Sequence, residues 1–237
     1  MDKERKTVSG LVNRDLLLPY ALPYFAYVGL AVVGNRFLDK SWVYTLKIII
    51  VPSLLVWAWK WYLPIKGPKR VSGSILYGIG FGLAGLLAWC LLMAPFIDAE
   101  AEPWDNTAFF LRLLSASLIV PVFEEIFIRG YIFRAAYQWD ILRKRTGAVP
   151  AINEMLEHRT IEDVKPGAWS VMAIVVSTVA FTAGHVTMEW PACIAYSLIL
   201  CWLYIIRKDL LSMIVAHGIT NLGLALYVRY SGHWGFW

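Results

Sequence analysis

Glu124 and Glu125 stand side by side in VPVFEEIFIRGYIF, residues 120–133, and Arg129 follows four positions after Glu125. Most of the surrounding residues are apolar. A charged side chain at the centre of a bilayer costs about 3 kcal/mol on insertion scales, so such groups are expected to pair or to line an aqueous cavity with a function. On a helix, Glu125 and Arg129 share a face in the acid-first order that favours a pair, whereas Glu124 points about 100° away around the axis. The pair neutralises itself and Glu124 does not. Two histidines lie in later apolar runs: His185 ends FTAGH, with Phe181 on the same helical face, and His217 begins HGITN, with Asn221 on the same face. The other two, His158 and His233, fall in a polar loop and the C-terminal tail.

A carboxyl group in an apolar pocket suits the role of general base near neutrality, and an imidazole beside it can help hold and deprotonate a water molecule. A second imidazole and a side-chain amide are donors fit for a developing oxyanion, a contribution of about 3–4 kcal/mol in hydrolytic enzymes. Together these groups describe peptide hydrolysis. Two His and one Glu also make a catalytic zinc set, so a Glu124, His185 and His217 metal site stays open, although no HExxH occurs. Ser115, Ser117 and Ser177 lie in apolar segments without a GxSxG elbow, and a serine nucleophile would leave the paired glutamates without a role. The bland reading is a structural Glu125–Arg129 pair with Glu124 in a water-filled crevice. Two further readings use the same residues. One is a transporter or proton channel with Glu, His and Arg as an ion relay; against it, nothing in the first half of the chain mirrors the charged second half. The other is a scaffold that binds a lipidated partner without cutting it.

The elements that must position these groups are membrane helices. Of the 237 residues 59% are hydrophobic and 16% charged, and mean hydropathy is +0.57. Twelve Trp and twelve Tyr suit the interface between bilayer core and water. Apolar segments long enough to cross fall at about 16–34, 42–63, 73–97, 107–137, 168–187, 190–206 and 209–230. Pro121 disfavours helical geometry at Val120, so the fourth segment is expected to kink or split. The expected fold is therefore all-α, a bundle of seven to eight transmembrane helices in a single domain over 1–237. Small residues in GSILYGIGFGLAG, 73–85, suit close helix contact. Cys90, Cys193 and Cys201 show no CxxC or zinc-ribbon spacing and read as packing residues. The first apolar run is too long for a signal-peptide core and should stay as the first span.

With seven spans, the basic loops at 64–72, 142–145 and 207–208 share one side and the acidic IDAEAEPWD, 97–105, takes the other, which puts the N-terminus in the cytoplasm. The solvated MDKERK end would lie there too. The net charge of +5 sits in these short loops and forms no long basic face, which argues against nucleic acid. Straight helices raise a conflict of depth: His185 falls near the outer end of its segment and His217 about 12 Å from the inner side. Either the fifth segment starts deeper than its apolar run, or Pro121 changes the count.

EEIFIR at 124–129, FTAGH at 181–185 and HGITN at 217–221 match the forms EExxxR, FxxxH and HxxxN, in that order and in separate apolar segments. The chain thereby resembles the CPBP family of intramembrane proteases. That family includes the type II CAAX prenyl endopeptidases and bacterial relatives linked to bacteriocin processing and immunity. The likeness covers about residues 107–230, and the first hundred residues share only their hydrophobicity. It implies that Glu124 and His185 activate water, that His217 and Asn221 stabilise the oxyanion, and that Glu125, Arg129 and Phe181 support them. It further implies a membrane-associated protein or peptide as substrate, either lipid-anchored, as in a prenylated CAAX protein, or membrane-inserted. No obligatory metal is expected, with zinc on Glu124, His185 and His217 as the alternative. Small size and short loops point to a bacterial or archaeal cell membrane.

Overall fold

The computed structural model describes residues 10–97 and 100–237. The MDKERK segment and Asp98 lie outside them. Each of the seven apolar stretches becomes helix, and no strand forms among the described residues. In chain order these are α1 (Asn13–Gly34), α2 (Lys40–Ala58), α3 (Val71–Met93), a composite helix from Asn106 to Thr146, α8 (Val171–Ala183), α9 (Trp190–Arg207) and α10 (Leu211–Ser231). Five helices are long and apolar enough to cross a membrane: Asn13–Gly34, Lys40–Trp61, Val71–Phe96, Thr187–Arg207 and Leu211–Ser231. The protein is an integral membrane helix bundle.

Pro121 does not split the fourth segment. The composite helix runs through α4 (Asn106–Leu114), a π-helical turn (Ser115–Ile119), α5 (Val120–Glu125), a second π-helical turn (Ile126–Ile132) and α6 (Phe133–Thr146). Proline removes a backbone donor inside a helix, and the wider π-turn just before it takes up the mismatch without breaking the chain of turns. At 1.5 Å per residue the whole element is about 60 Å long, twice a hydrocarbon core. Its basic end, Arg143, Lys144 and Arg145, therefore stands clear of the apolar layer. Asp105 starts the element by accepting a hydrogen bond from the Ala108 amide. A short helix, α7 (Ala148–His158), follows it.

α10 lies directly on α3 because the contact face of α3 is made of glycine. A Cβ at Gly78 would come within 2.8 Å of the Ser212 carbonyl, and one at Gly82 within 2.6 Å of the Ala216 carbonyl. Thr220 completes the contact by donating to the Gly82 carbonyl at 2.8 Å. Small residues give close approach where helices cannot rely on the hydrophobic effect to associate in lipid. On the other side, α1 packs on the composite helix through aromatic rings. Tyr24 meets Phe127 at 5.3 Å between centroids, Tyr27 meets Phe123 at 5.1 Å and Tyr20 meets Tyr131 at 5.5 Å.

One end of the bundle is sealed by buried polar groups. Arg134 donates to Tyr204 and to the Ile161 and Val164 carbonyls. Asn13 donates to Gln138, and its backbone carbonyl accepts from Tyr131. Asp209 accepts from Ser74 and from the first-turn amide of Ser212, while Arg207 donates to Ser74 and to the Arg70 carbonyl. The basic loops gather here, so Arg207 serves this network as well as the charge asymmetry read from the sequence. The opposite end holds the cavity.

Candidate active site

The first π-turn exposes backbone that α10 covers. Asn221 of α10 donates from Nδ2 to the Ala116 carbonyl at 2.8 Å, and a Cβ at Gly218 would meet the Ser117 carbonyl at 2.8 Å. Carbonyls released by Pro121 and the π-turn thus become the seat of α10, which fixes the height of His217 against Glu124 and Glu125.

The two carboxylates bracket one imidazole. His217 Nδ1 lies 2.9 Å from Glu125 Oε1, and Nε2 lies 3.9 Å from Glu124 Oε2. The roughly 100° between adjacent residues on a helix thus delivers them to opposite edges of the ring. Arg129 donates to the same Glu125 oxygen at 3.3 Å. Glu125, Arg129 and His217 are all buried, the first two completely. An ionised carboxylate only accepts, so the Nδ1 proton is assigned to the hydrogen bond with Glu125, and Nε2 faces Glu124. At 3.9 Å the Glu124 contact is too long for a direct hydrogen bond. Glu124 Oε2 is buried with no hydrogen-bond partner among the described residues.

Arg129 reaches further than its pairing with Glu125. It donates to Ser197 Oγ of α9 at 2.9 Å, Thr178 of α8 shares that hydroxyl at 3.1 Å, and the guanidinium lies 4.9 Å over the Phe181 ring. Three elements are held to one buried charge.

His185 joins the same cavity, and the expected conflict of depth does not arise. α8 has 13 residues, about 20 Å, too few to cross a core of about 30 Å. Its last residue, Ala183, and Gly184 are exposed, and the turn that follows places the half-buried His185 on the cavity that Glu124 and His217 also line. Phe181 touches both imidazoles, at 4.8 Å from the His185 ring and 6.0 Å from the His217 ring. His185 Nδ1 lies 2.9 Å from the Phe181 carbonyl. A carbonyl only accepts, so Nδ1 carries the proton and Nε2 offers its lone pair to the cavity.

The cavity is about 380 Å³ and is lined by Glu124, Phe181, His185, His217 and Asn221. Its volume falls in the range of small-ligand sites. The residues singled out in the sequence thus converge, with Glu125 and Arg129 as the buried support beneath them. Other lining residues come from the first hundred or so positions: Tyr27, Lys47, Trp89 and Arg112. Lys47 in TLKIIIV and Arg112 in FFLRLL carry the signal that marks Glu124, a charge within an apolar run, and the rule applied there would have found them.

The zinc alternative would draw on Glu124, His185 and His217. Among the described residues the three possible ligands that lie within 4.8 Å of one another are His185, Glu189 and Cys193. Glu124, His185 and His217 do not gather that closely, although each imidazole holds Nδ1 on a protein partner and leaves Nε2 toward the cavity, as a metal-binding histidine does.

A family model described as type II CAAX prenyl endopeptidase Rce1-like matches residues 106–223. No curated protein and no solved structure matches the chain. The matched span opens at the first residue of α4 and takes in Glu124, His185, His217 and Asn221. By this match the chain belongs to the Rce1-like family of type II CAAX prenyl endopeptidases, within the CPBP intramembrane proteases, and is a peptidase of the membrane.

Proposed function

We propose that the chain is an intramembrane endopeptidase that cuts a membrane-associated protein or peptide near its C-terminus with a water molecule activated by Glu124 and His185. The observation that carries this reading is Glu124 Oε2: a buried carboxylate oxygen without a hydrogen-bond partner among the described residues, 3.9 Å from the His217 imidazole in a cavity of peptide size. Glu124 takes a proton as water attacks the carbonyl carbon, and His185 Nε2 accepts from the same water. The tetrahedral oxyanion draws hydrogen bonds from the second amide N–H of Asn221 and from His217 when Nε2 carries a proton. Glu124 then returns its proton to the leaving amine as the C–N bond breaks. Glu125, held by Arg129, keeps the His217 ring turned toward Glu124. No step requires a metal.

We further infer that the N-terminus is cytoplasmic and that the cavity opens on the opposite face. The positive-inside rule supports this orientation, because the basic loops sit at the sealed end of the bundle. It favours substrates whose tails reach the outer face over prenylated proteins held on the cytoplasmic leaflet.

The test is cleavage of fluorogenic peptides by purified, detergent-solubilised protein. A farnesylated CAAX peptide runs beside an unprenylated hydrophobic one, with wild type beside Glu124→Gln, with and without chelator. Cleavage that needs Glu124 and survives chelator is expected. Loss of activity on chelation, restored by zinc, would overturn the metal-free mechanism. Cleavage confined to the farnesylated peptide would overturn the outward-facing substrate class.

A further inference from the structure

Lys47 and Arg112 are charges in the cavity that hydrolysis does not use. Lys47, two turns into α2, is 3% exposed, with Nζ 4.1 Å from the Tyr27 ring centroid and 4.5 Å from that of Tyr44. Arg112 of α4 lies with its guanidinium 4.4 Å over the Trp237 ring and 4.8 Å over the Trp104 ring. Both line the cavity that holds Glu124, His217 and Asn221. Among the described residues neither forms an ion pair, although Glu124 and Glu189 line the same space. A buried ammonium held by aromatic faces alone carries an uncompensated desolvation cost. Lys47 buried and Arg112 half-buried, both lining one cavity without a carboxylate partner among the described residues, make a site for an anion.

An endopeptidase acting near a C-terminus always meets one anion, the α-carboxylate of the last residue. Three extended residues span about 10 Å. Arg112 and Glu124 are twelve positions apart on one helix, a rise of roughly 18 Å, and the arginine side chain and the attacking water occupy much of the difference. We propose that Lys47 and Arg112 bind the C-terminal carboxylate of the substrate and so fix the cut a few residues from a free C-terminus. The proposal rests on the endopeptidase reading above. A lipid phosphate offers the same charge, and the test separates the two.

The experiment uses the full chain in detergent and pairs of hydrophobic peptides that differ only in ending as a free acid or an amide. Cleavage is read as kcat and KM. Binding of the corresponding acid and amide tripeptides is read by shift in melting temperature, which needs no turnover. Wild type is expected to prefer the acid by about tenfold or more, mainly through KM, as befits a charge-assisted hydrogen bond. In Lys47→Met and Arg112→Gln the ratio should fall toward one, while Glu124→Gln still binds the acid tripeptide selectively. Melting curves establish that each variant is folded, and methionine in place of an unpaired buried charge is not expected to destabilise. Cleavage of acid and amide at equal efficiency would overturn the subsite and leave the peptidase standing. Acid-selective binding without cleavage of any peptide would do the reverse. A lipid-phosphate site would show as a response of wild type, lost in Lys47→Met, to added phosphatidylglycerol with no acid preference, and it too would overturn the proposal.

Discussion

Glu124 and Glu125 are neighbours in sequence with opposite consequences when removed. Glu124 Oε2 has no hydrogen-bond partner among the described residues, so Glu124→Gln takes little from the fold. Hydrolysis should fall by about 10²–10⁴-fold, the usual contribution of a general base, with the melting temperature of the detergent-solubilised protein unchanged. Arg129 is fully buried and bonded to Glu125 and Ser197. Arg129→Ala leaves the Glu125 charge buried beside His217 without its cation, a defect that costs about 3–5 kcal/mol. That variant should melt markedly lower and retain activity in proportion to the folded fraction at low temperature. Equal activity loss in both variants with equal melting curves would mean that Arg129 belongs to the chemistry. The identities of these residues were legible because a charge in an apolar run demands an account. The contact from Glu125 to His217 was not legible, since 92 positions separate the pair and α10 alone brings them together.

The element that sets this geometry is the face of α3 against α10. Its small residues were readable as a close-contact surface. Which of them matter depends on the neighbour. A Cβ at Gly82 would lie 2.6 Å from the Ala216 carbonyl, one residue before His217, whereas Gly80 has nothing within 4 Å. Backbone cannot yield as a flexible side chain does. Gly82→Ala should therefore destabilise by about 1–3 kcal/mol, the range for overpacking, and lower kcat by displacing His217. Gly80→Ala should leave melting temperature and kcat as they are. If both variants behave alike in melting and in turnover, α3 does not set the height of α10. The unbroken helix through Pro121 was beyond the sequence for a related reason. Proline's rule is local, but the partners that make the π-turn stable, Asn221 and the Gly218 backbone, come from a hundred residues downstream. The depth of His185 was likewise hidden, because the apolar run at 168–187 extends past both ends of the helix that forms in it, Val171–Ala183.

At the scale of the whole molecule the bundle has two unlike ends, and on the orientation proposed above their difference would set which side of the membrane supplies the substrate. At one end Leu210 N donates to the Ile65 carbonyl, which ties the basic loops at Lys66 and Lys208 together, and Asn13 N donates to the Arg159 carbonyl, which ties α1 to the segment after α7. At the other end Trp234 meets Phe109 edge-on and Trp237 meets it at a tilt, Trp104 meets Tyr44, and His185 lines the cavity. Lys and Arg in short loops stay on the cytoplasmic side during insertion. Hence the catalytic cavity should face away from the cytoplasm, even though the family description names substrates defined by a prenyl group. Single cysteines introduced at the exposed positions Asp39, Glu102, Lys66 and Arg145 test this in intact cells. A membrane-impermeant maleimide should label Asp39→Cys and Glu102→Cys directly, and Lys66→Cys and Arg145→Cys after the membrane is opened. The native Cys193 and Cys201 are buried, and the half-buried Cys90 is replaced by Ser in the parent chain so that it adds no background. The reverse pattern would turn the cavity to the cytoplasm, and prenylated cytosolic tails would become the first substrates to assay.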